Sequence, residues 1–503
     1  TLEDNTSDLS RLLRGLRQQY CFDNISVDFY VVKKLAQVLR DGNWRVTATT
    51  LLNSEPPLRV INVEPGDTRA RHYSLAFDVG TTAIRGQLLD LNRGKVLAQG
   101  IDYNQQISYG EDVISRIAWS QKTGGLKKLQ QAVIATINGL IKELVEQAEV
   151  RVNDIAHMVV AGNTVMAQLL LGLDPKYIRL SPYVPTISTA PQVRASSLGI
   201  ELAEHVYLYA LPSVASYVGG DIVAGILGAG VYQRKVVTLY IDIGTNGELV
   251  IGNSDWMVTA SCSAGPTFEG GGVKHGMIAT SGAIEGFDIS PSDFEPVIST
   301  IGGVKPKGIC GSGLINIAAA LLRAGVITQN GRFNADLPTK RVREGDDGYE
   351  YVLAWAPETQ IGKDIVFTEV DIANLVRSKA AMYAGCQTLA KSVGARCPNI
   401  EQVIIAGTFG SNINIENAIT IGLLPDLPRD RFIFIGNGSL LGARLTSFSD
   451  NLLRDGQRIA SMMTNVELSE SVDFMNNYVA ALFLPHTNAD EFPSVKIQKG
   501  QEL

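Results

Sequence analysis

Two short stretches hold the residues best suited to chemistry. Asp78-Val79-Gly80-Thr81-Thr82 and Asp242-Ile243-Gly244-Thr245-Asn246 each end an apolar run with an aspartate, a glycine and hydroxyl or amide side chains. That combination suits a phosphate with its metal. Glycine lets the backbone come close, neighbouring N–H groups point at the anion, and threonine adds a hydroxyl donor. Asp78 and Asp242 each offer a hard oxygen to hydrated Mg²⁺, which takes only one or two protein carboxylates. A lone Asp-x-Gly-Thr ends many strands without any ligand. Two copies in matching surroundings point instead to one phosphate site with two jaws.

A second glycine cluster, SAGPTFEGGGVKHGM, follows the second stretch. Gly270, Gly271 and Gly272 allow close backbone approach, and Glu269 can meet Mg²⁺ or orient an attacking water. The same run also reads as a tight turn with a solvated glutamate. GICGSGLINIAAALL opens a helix with a glycine turn, which suits either an anion or plain packing. Other chemistries lack their signatures: there is no Gly-x-x-x-x-Gly-Lys-[Ser/Thr] loop and no Gly-x-Ser-x-Gly elbow. The five histidines are scattered, and the five cysteines include no Cys-x-x-Cys pair. A disulfide framework, a zinc ribbon and a closely spaced cluster-binding cysteine run are excluded on that basis.

The elements that must position the two stretches are themselves repeated. LAFDVGTTAIRGQLLDLNRGKVLAQG predicts strand, turn, strand, turn at Asn92-Arg93-Gly94, strand. VVTLYIDIGTNGELVIGNSDWMVTA predicts the same order, with its turn at Asn253-Ser254-Asp255. Downstream, HMVVAGNTVMAQLLLG and QVIIAGTFGSNINIENA each read as an apolar strand, Ala-Gly, and a helix. A helix precedes each; the first places Leu126, Leu129, Val133, Ile137, Leu140, Ile141 and Leu144 on one face. Asp78 to Gly162 spans 84 positions and Asp242 to Gly407 spans 165, so the second half carries an insertion at about 280–368. The expectation is an α/β protein of two duplicated lobes with a cleft between them. Lobe I covers 73–230, lobe II 231–495, a small N-terminal α/β domain 1–72 and a tail 496–503.

Over 503 residues, the composition is 45% hydrophobic and 19% charged, with a formal charge of −7. Nucleic acid and anionic lipid leave a basic footprint that is missing here, so neither is expected as a partner. Ser216–Tyr232 is glycine-rich and contains Asp221, and reads as a buried helix rather than a membrane span. The N-terminal run lacks a signal peptide's apolar core, so the cytoplasm is the expected location.

Read together, the motifs resemble the actin, sugar-kinase and heat-shock-chaperone ATPase superfamily, with its duplicated ribonuclease-H-like lobes. SCSAGPTFEGGGVKHGM, GICGSGLI, IIAGTFGSNINIENAITIGLLPD and ALFLPH narrow the resemblance to the ATP-dependent reductive activators of corrinoid proteins, over about residues 73–495. Residues 1–72 are similar to that family's small middle or linker domain. The resemblance implies ATP and Mg²⁺ as ligands. Asp78, Gly80, Thr81 and Thr82 would form the first phosphate motif, and Asp242, Gly244, Thr245 and Asn246 the second. Gly407 and Gly410 would lie against the adenosine.

The resemblance further implies ATP-driven reduction of Co(II) to Co(I) in a corrinoid iron–sulfur protein or related corrinoid protein, and a homodimer. Family members carry an N-terminal ferredoxin-like domain with a [2Fe–2S] cluster in four cysteines, which this chain lacks. Either that domain lies upstream of this chain, which the threonine start favours, or the chain is a variant that obtains electrons from another protein. Three other functions fit parts of the pattern. They are a small-molecule kinase of the sugar-kinase type, an activator of 2-hydroxyacyl-CoA dehydratases using Cys262 or Cys310, and a non-catalytic nucleotide-gated binding module.

Overall fold

The computed structural model describes residues 5–20, 24–51, 58–244, 246–290, 292–407 and 413–496. Packing divides the chain into two units, Thr1–Ala224 with Leu440–Arg458, and Gly225–Ser439 with Ile459–Leu503. The sequence places 440–458 with the second lobe; packing gathers it with the first.

Unit 1 starts with helix α1 (Asp8–Tyr20), strand β1 (Ile25–Val27), helix α2 (Phe29–Asp41) and strands β2 (Val46–Leu51) and β3 (Leu58–Pro65). The strands form a three-stranded sheet in the order β1-β3-β2. Leu12, Leu16, Val31, Leu35 and Leu39 from the two helices close a small core with Val60 and Val63. Next come β4 (Tyr73–Val79), β5 (Ala83–Asp90), β6 (Lys95–Tyr103), α3 (Val113–Ser120), α4 (Gly125–Gln147), β7 (Ile155–Gly162), α5 (Thr164–Leu171), β8 (Val193–Arg194) and β9 (Tyr207–Ala210). Their sheet runs β6-β5-β4-β7-β9-β8. The face predicted for α4 packs on it: Leu129, Val133, Ile137, Leu140, Ile141 and Leu144 are buried.

Helix α6 (Gly220–Ala229) leads into unit 2, whose first strands are β10 (Thr238–Ile243), β11 (Gly247–Gly252) and β12 (Met257–Cys262). The predicted insertion contains β13 (Ala283–Ile289), β14 (Pro296–Thr300), β15 (Gly308–Ile309), α7 (Gly311–Arg323), β16 (Val342–Gly345), β17 (Gly348–Ala354) and β18 (Ile365–Thr368). These strands form two three-stranded sheets, β14-β13-β15 and β16-β17-β18. The chain continues through α8 (Glu369–Ser392), β19 (Gln402–Ala406), α9 (Ile415–Thr420), β20 (Phe432–Gly436), α10 (Gly438–Phe448), α11 (Asp450–Met462), β21 (Met463–Asn465) and α12 (Val472–Ala480). The main sheet of unit 2 runs β20-β19-β10-β11-β12-β21.

The two main sheets repeat one plan. β6-β5-β4 is an antiparallel meander continued by parallel β7 and β9, and β12-β11-β10 is one continued by parallel β19 and β20. Their central strands are buried almost throughout, as strands covered on both faces must be. The α/β duplication expected from the sequence is thus present in five strands of each sheet; the sixth differs, β8 pairing antiparallel with β9 and β21 parallel with β12. Among the described residues, no helix is long and apolar enough to cross a membrane.

Candidate active site

The repeat extends to single residues. Asp78 on β4 lies opposite Arg85 on β5 and Ala161 on β7. Asp242 on β10 lies opposite Glu248 on β11 and Ala406 on β19. In both units the parallel strand therefore delivers its Ala-Gly to the aspartate. A methyl carbon added at Gly162 would stand 2.8 Å from the Val79 carbonyl oxygen. One added at Gly407 would stand 2.4 Å from the Ile243 oxygen and 3.0 Å from Asp242 Oδ1. Glycine at both places is what permits the strands to close on the turn.

In unit 1 the turn after Asp78 is held from behind. Asn104 Nδ2 donates to the Gly80 carbonyl at 2.9 Å, and the Asn104 backbone N–H to the Thr82 carbonyl at 3.0 Å. Arg116 Nη2 donates to the Thr81 carbonyl at 2.6 Å. A trans peptide points its C=O and its N–H in opposite directions. Fixing these three carbonyls therefore turns the N–H groups of Thr81, Thr82 and Ala83 the other way. Asp78 is buried and Thr81 and Thr82 are half-buried. Asp78, Gly80, Thr81 and Thr82 are thus brought together as expected of one turn. Asn104 and Arg116 are additional parts that the sequence reading missed. The available signal was an arginine at the apolar spacing of α3, where Val113, Arg116, Ile117 and Ser120 are the buried face.

In unit 2 Asp242, Gly244, Asn246 and Gly407 meet around the end of β10; Thr245 and Gly410 lie outside the described residues. Among the described residues, a methyl added at the Gly244 α-carbon would meet only the Asn246 oxygen, at 3.7 Å. Tyr240, fully buried, donates its hydroxyl to Asp242 Oδ2 at 3.3 Å. Gly225 of α6 and Gly438 of α10 leave just enough room for that hydroxyl, since added methyls would stand 1.9 and 2.5 Å from it. Directly paired residues of antiparallel strands project to the same face. Asp242 and Glu248 therefore share a face, whereas Asp78 shares one with Arg85. The first turn combines opposite charges and the second combines two acids. Of the two, the second has the oxygen donors for Mg²⁺.

The glycine cluster after β12 is explained by packing at two of its three positions. A methyl at Gly270 would meet the Met277 nitrogen at 2.5 Å, and one at Gly271 would meet Pro266 Cβ at 2.6 Å. Gly272 is less crowded, with Asn374 Nδ2 at 3.5 Å and a φ of +69°. Glu269 is half-buried at the end of the short turn Pro266–Glu269. GICGSG opens α7, and ALFLPH is anchored by the buried Lys379, whose Nζ donates to the Phe483 and Pro485 carbonyls.

The described cysteines do not suit an iron–sulfur cluster. Cys262 donates to the Gly247 carbonyl and Cys310 to the Ile284 carbonyl, and both are buried in the core. Burial pushes the Cys262 and Cys386 thiols up, and Cys397 up to about 12. Among the described residues, no group of three or more His, Cys, Asp or Glu side chains could hold a metal ion. No step is therefore assigned to a cluster within this chain.

Family models match the RACo linker region at residues 1–70, the RACo middle region at 73–234, and the C-terminal domain of RACo, its ASKHA domain, at 236–496. The chain belongs to the RACo family of corrinoid activators. A solved structure of a reductive activator for corrinoid, iron-sulfur protein is 46% identical with a TM-score of 0.90, covering 98% of this chain and 79% of that one. The corrinoid activation enzyme RamQ of Eubacterium limosum is 34% identical over 431 residues, 84% of this chain and 72% of that protein. A [Co(II) methylated amine-specific corrinoid protein] reductase of Methanosarcina barkeri is 24% identical over 443 residues, 82% of this chain and 76% of that protein.

On the RACo scheme the first turn lies in the middle region, and the second turn with Gly407 lies in the actin-like ASKHA domain. The family's term for 1–70 is linker; "middle" denotes the region that follows.

Proposed function

We propose that this RACo chain binds and hydrolyses ATP and thereby drives one-electron reduction of Co(II) to Co(I) in a corrinoid protein. The observation that carries the ATP reading is the recurrence, in register, of aspartate, glycine turn and Ala-Gly strand in both main sheets. The substrate reading rests on family membership. Gly80, Thr81 and Thr82 would meet one part of the polyphosphate, with Asp78 beside them. Gly244, Thr245 and Asn246 would meet another, and Gly407 and Gly410 would lie against the adenosine. Asp242 with Glu248 would hold Mg²⁺, and Asp78 would be a third carboxylate available to it. Bound Mg²⁺ would supply neutralisation of charge on the phosphate oxygens. Glu269 would orient the attacking water.

The electron comes from a low-potential one-electron donor, and ATP acts on the protein rather than on cobalt. Nucleotide can favour one state of the activator–corrinoid complex only through contacts that differ between states. A state that changes cobalt coordination raises its potential, and hydrolysis to ADP and phosphate then favours release. The resemblance supports a homodimer working in the cytoplasm.

The test is anaerobic ATP hydrolysis by this chain, with and without a Co(II) corrinoid protein. Stimulation is expected, together with loss of turnover in folded Asp242→Ala. Turnover indifferent to corrinoid protein would remove the partner, and unchanged turnover in Asp242→Ala would remove the phosphate assignment.

A further inference from the structure

The guanidinium of Arg116 has no contact with solvent, and each of its hydrogen bonds ends on a neutral acceptor. These are the Thr81 carbonyl at 2.6 Å, the Gly110 carbonyl at 2.9 Å, Gln106 Oε1 at 3.1 Å and Met166 Sδ at 3.2 Å. Among the described residues no carboxylate forms an ion pair with it; Asp112 acts only at a distance and spends its side chain capping α3 at the Ser115 N–H. A buried ion without a counter-charge is unfavourable, and a fold keeps one where something else balances it. Burial draws the group down to about 10, which leaves it a cation at neutral pH.

We propose that Arg116 is the buried cation of the first phosphate turn, a positioning residue whose charge is balanced by the polyphosphate of the bound nucleotide. The proposal rests on the ATP reading above. Arg116 acts through one peptide unit: it holds the Thr81 carbonyl, and the Thr82 N–H of the same planar unit points the opposite way. Its field adds to that of the turned N–H groups, because a charge in a poorly solvated interior is weakly screened. Asn104 fixes the two flanking carbonyls but brings no charge. Guanidinium suits the position because a single planar group reaches Thr81, Gly110 and Gln106 together, which an ammonium cannot do.

A charge effect and a shape effect predict different patterns, and equilibrium binding separates them. The wild type, Arg116→Lys and Arg116→Met are titrated with adenosine, AMP, ADP and a non-hydrolysable ATP analogue, with folding checked by circular dichroism. Arg116→Met is expected to weaken the ATP analogue by about 10- to 100-fold, ADP by less, and adenosine hardly at all. Arg116→Lys, which keeps the charge but not the fork, should fall between wild type and Arg116→Met and provides the graded readout if Arg116→Met does not fold. Equal losses for adenosine and the ATP analogue, or no loss, would overturn the proposal while leaving the ATP reading intact. A wild type that binds adenosine and ATP analogue alike, or neither, would overturn both.

Discussion

Asp242 illustrates how much of a site lies in the residue behind the one that does the chemistry. Its Oδ2 accepts from Tyr240, two positions earlier on the same strand and therefore on the same face. That hydroxyl is confined by Gly225 and Gly438, so the carboxylate is aimed by a group that cannot itself move far. Tyr240→Phe removes one hydrogen bond to a charged acceptor and little volume. It should leave folding and adenosine binding intact and lower ATP turnover about tenfold or more, in line with such bonds. Steady-state hydrolysis beside nucleotide titration checks this; unchanged turnover would mean that Asp242 is aimed by other contacts. Asp78 and Asp242 were legible in the sequence because each stands in a local motif. Tyr240, Asn104, Arg116 and Glu248 were not. Tyr240 reads as one more apolar strand residue, and the others matter only once the end of β6, β11 or α3 has folded against the turn.

At the level of elements, the unit that recurs is an antiparallel meander with a parallel strand ending in Ala-Gly. The glycine makes the last step of that strand possible in both copies, but under different demands. Gly162 faces one carbonyl at 2.8 Å from an added methyl, whereas Gly407 faces one at 2.4 Å and also has a φ of +94°. Gly162→Ala should therefore cost about 1–3 kcal/mol through overpacking. Gly407→Ala, which adds backbone strain, should cost more and weaken nucleotide binding as well. Denaturant melts of the two variants beside nucleotide titration test the order, and a milder Gly407→Ala would contradict it. The meanders and their turns were readable from alternation and from Asn-Arg-Gly and Asn-Ser-Asp. The insertion was legible from the unequal spacing of the two halves but its strands were not, because β14 and β16 have no buried position and β15 is two residues long. Helix α1 went unassigned for a related reason: only Leu12 and Leu16 of its thirteen residues are buried.

Across the whole molecule, sequence order and packing diverge. The chain passes from one unit into the other within α6, α10 and α11, so residues 440–458 return to unit 1. There Tyr209 donates to the Leu453 carbonyl and Gly456 packs on Leu211. No local pattern announces such a return. The linker region poses the same problem at the other end. Its composition and its separate core set it apart, yet Asp28 ties it to the middle region. The nearly buried carboxylate accepts from Arg59 of the linker, from Arg194 Nη2 at 2.7 Å and from Tyr207 hydroxyl at 3.0 Å. Burial alone would raise its pKa, but the hydrogen bonds from Arg59, Arg194 and Tyr207 outweigh burial and hold it below the usual carboxylate range. A depressed carboxylate stabilises above its unfolded pKa of about 3.9 and loses that contribution as pH falls through the folded value, so the tie is intact at neutral pH. Asp28→Asn keeps the shape and removes the charge that faces two arginines. Breaking one side of a buried ionic cluster costs about 3–5 kcal/mol. Amide hydrogen exchange should therefore rise across residues 25–65 at pH 7, while exchange in β4 and β5 and nucleotide affinity stay near wild type. At a pH below the folded Asp28 value the two proteins should converge, since the wild-type carboxyl is then neutral too. Exchange that rises equally throughout unit 1 would mean that the linker and middle regions open as one body and that Asp28 is not the tie between them.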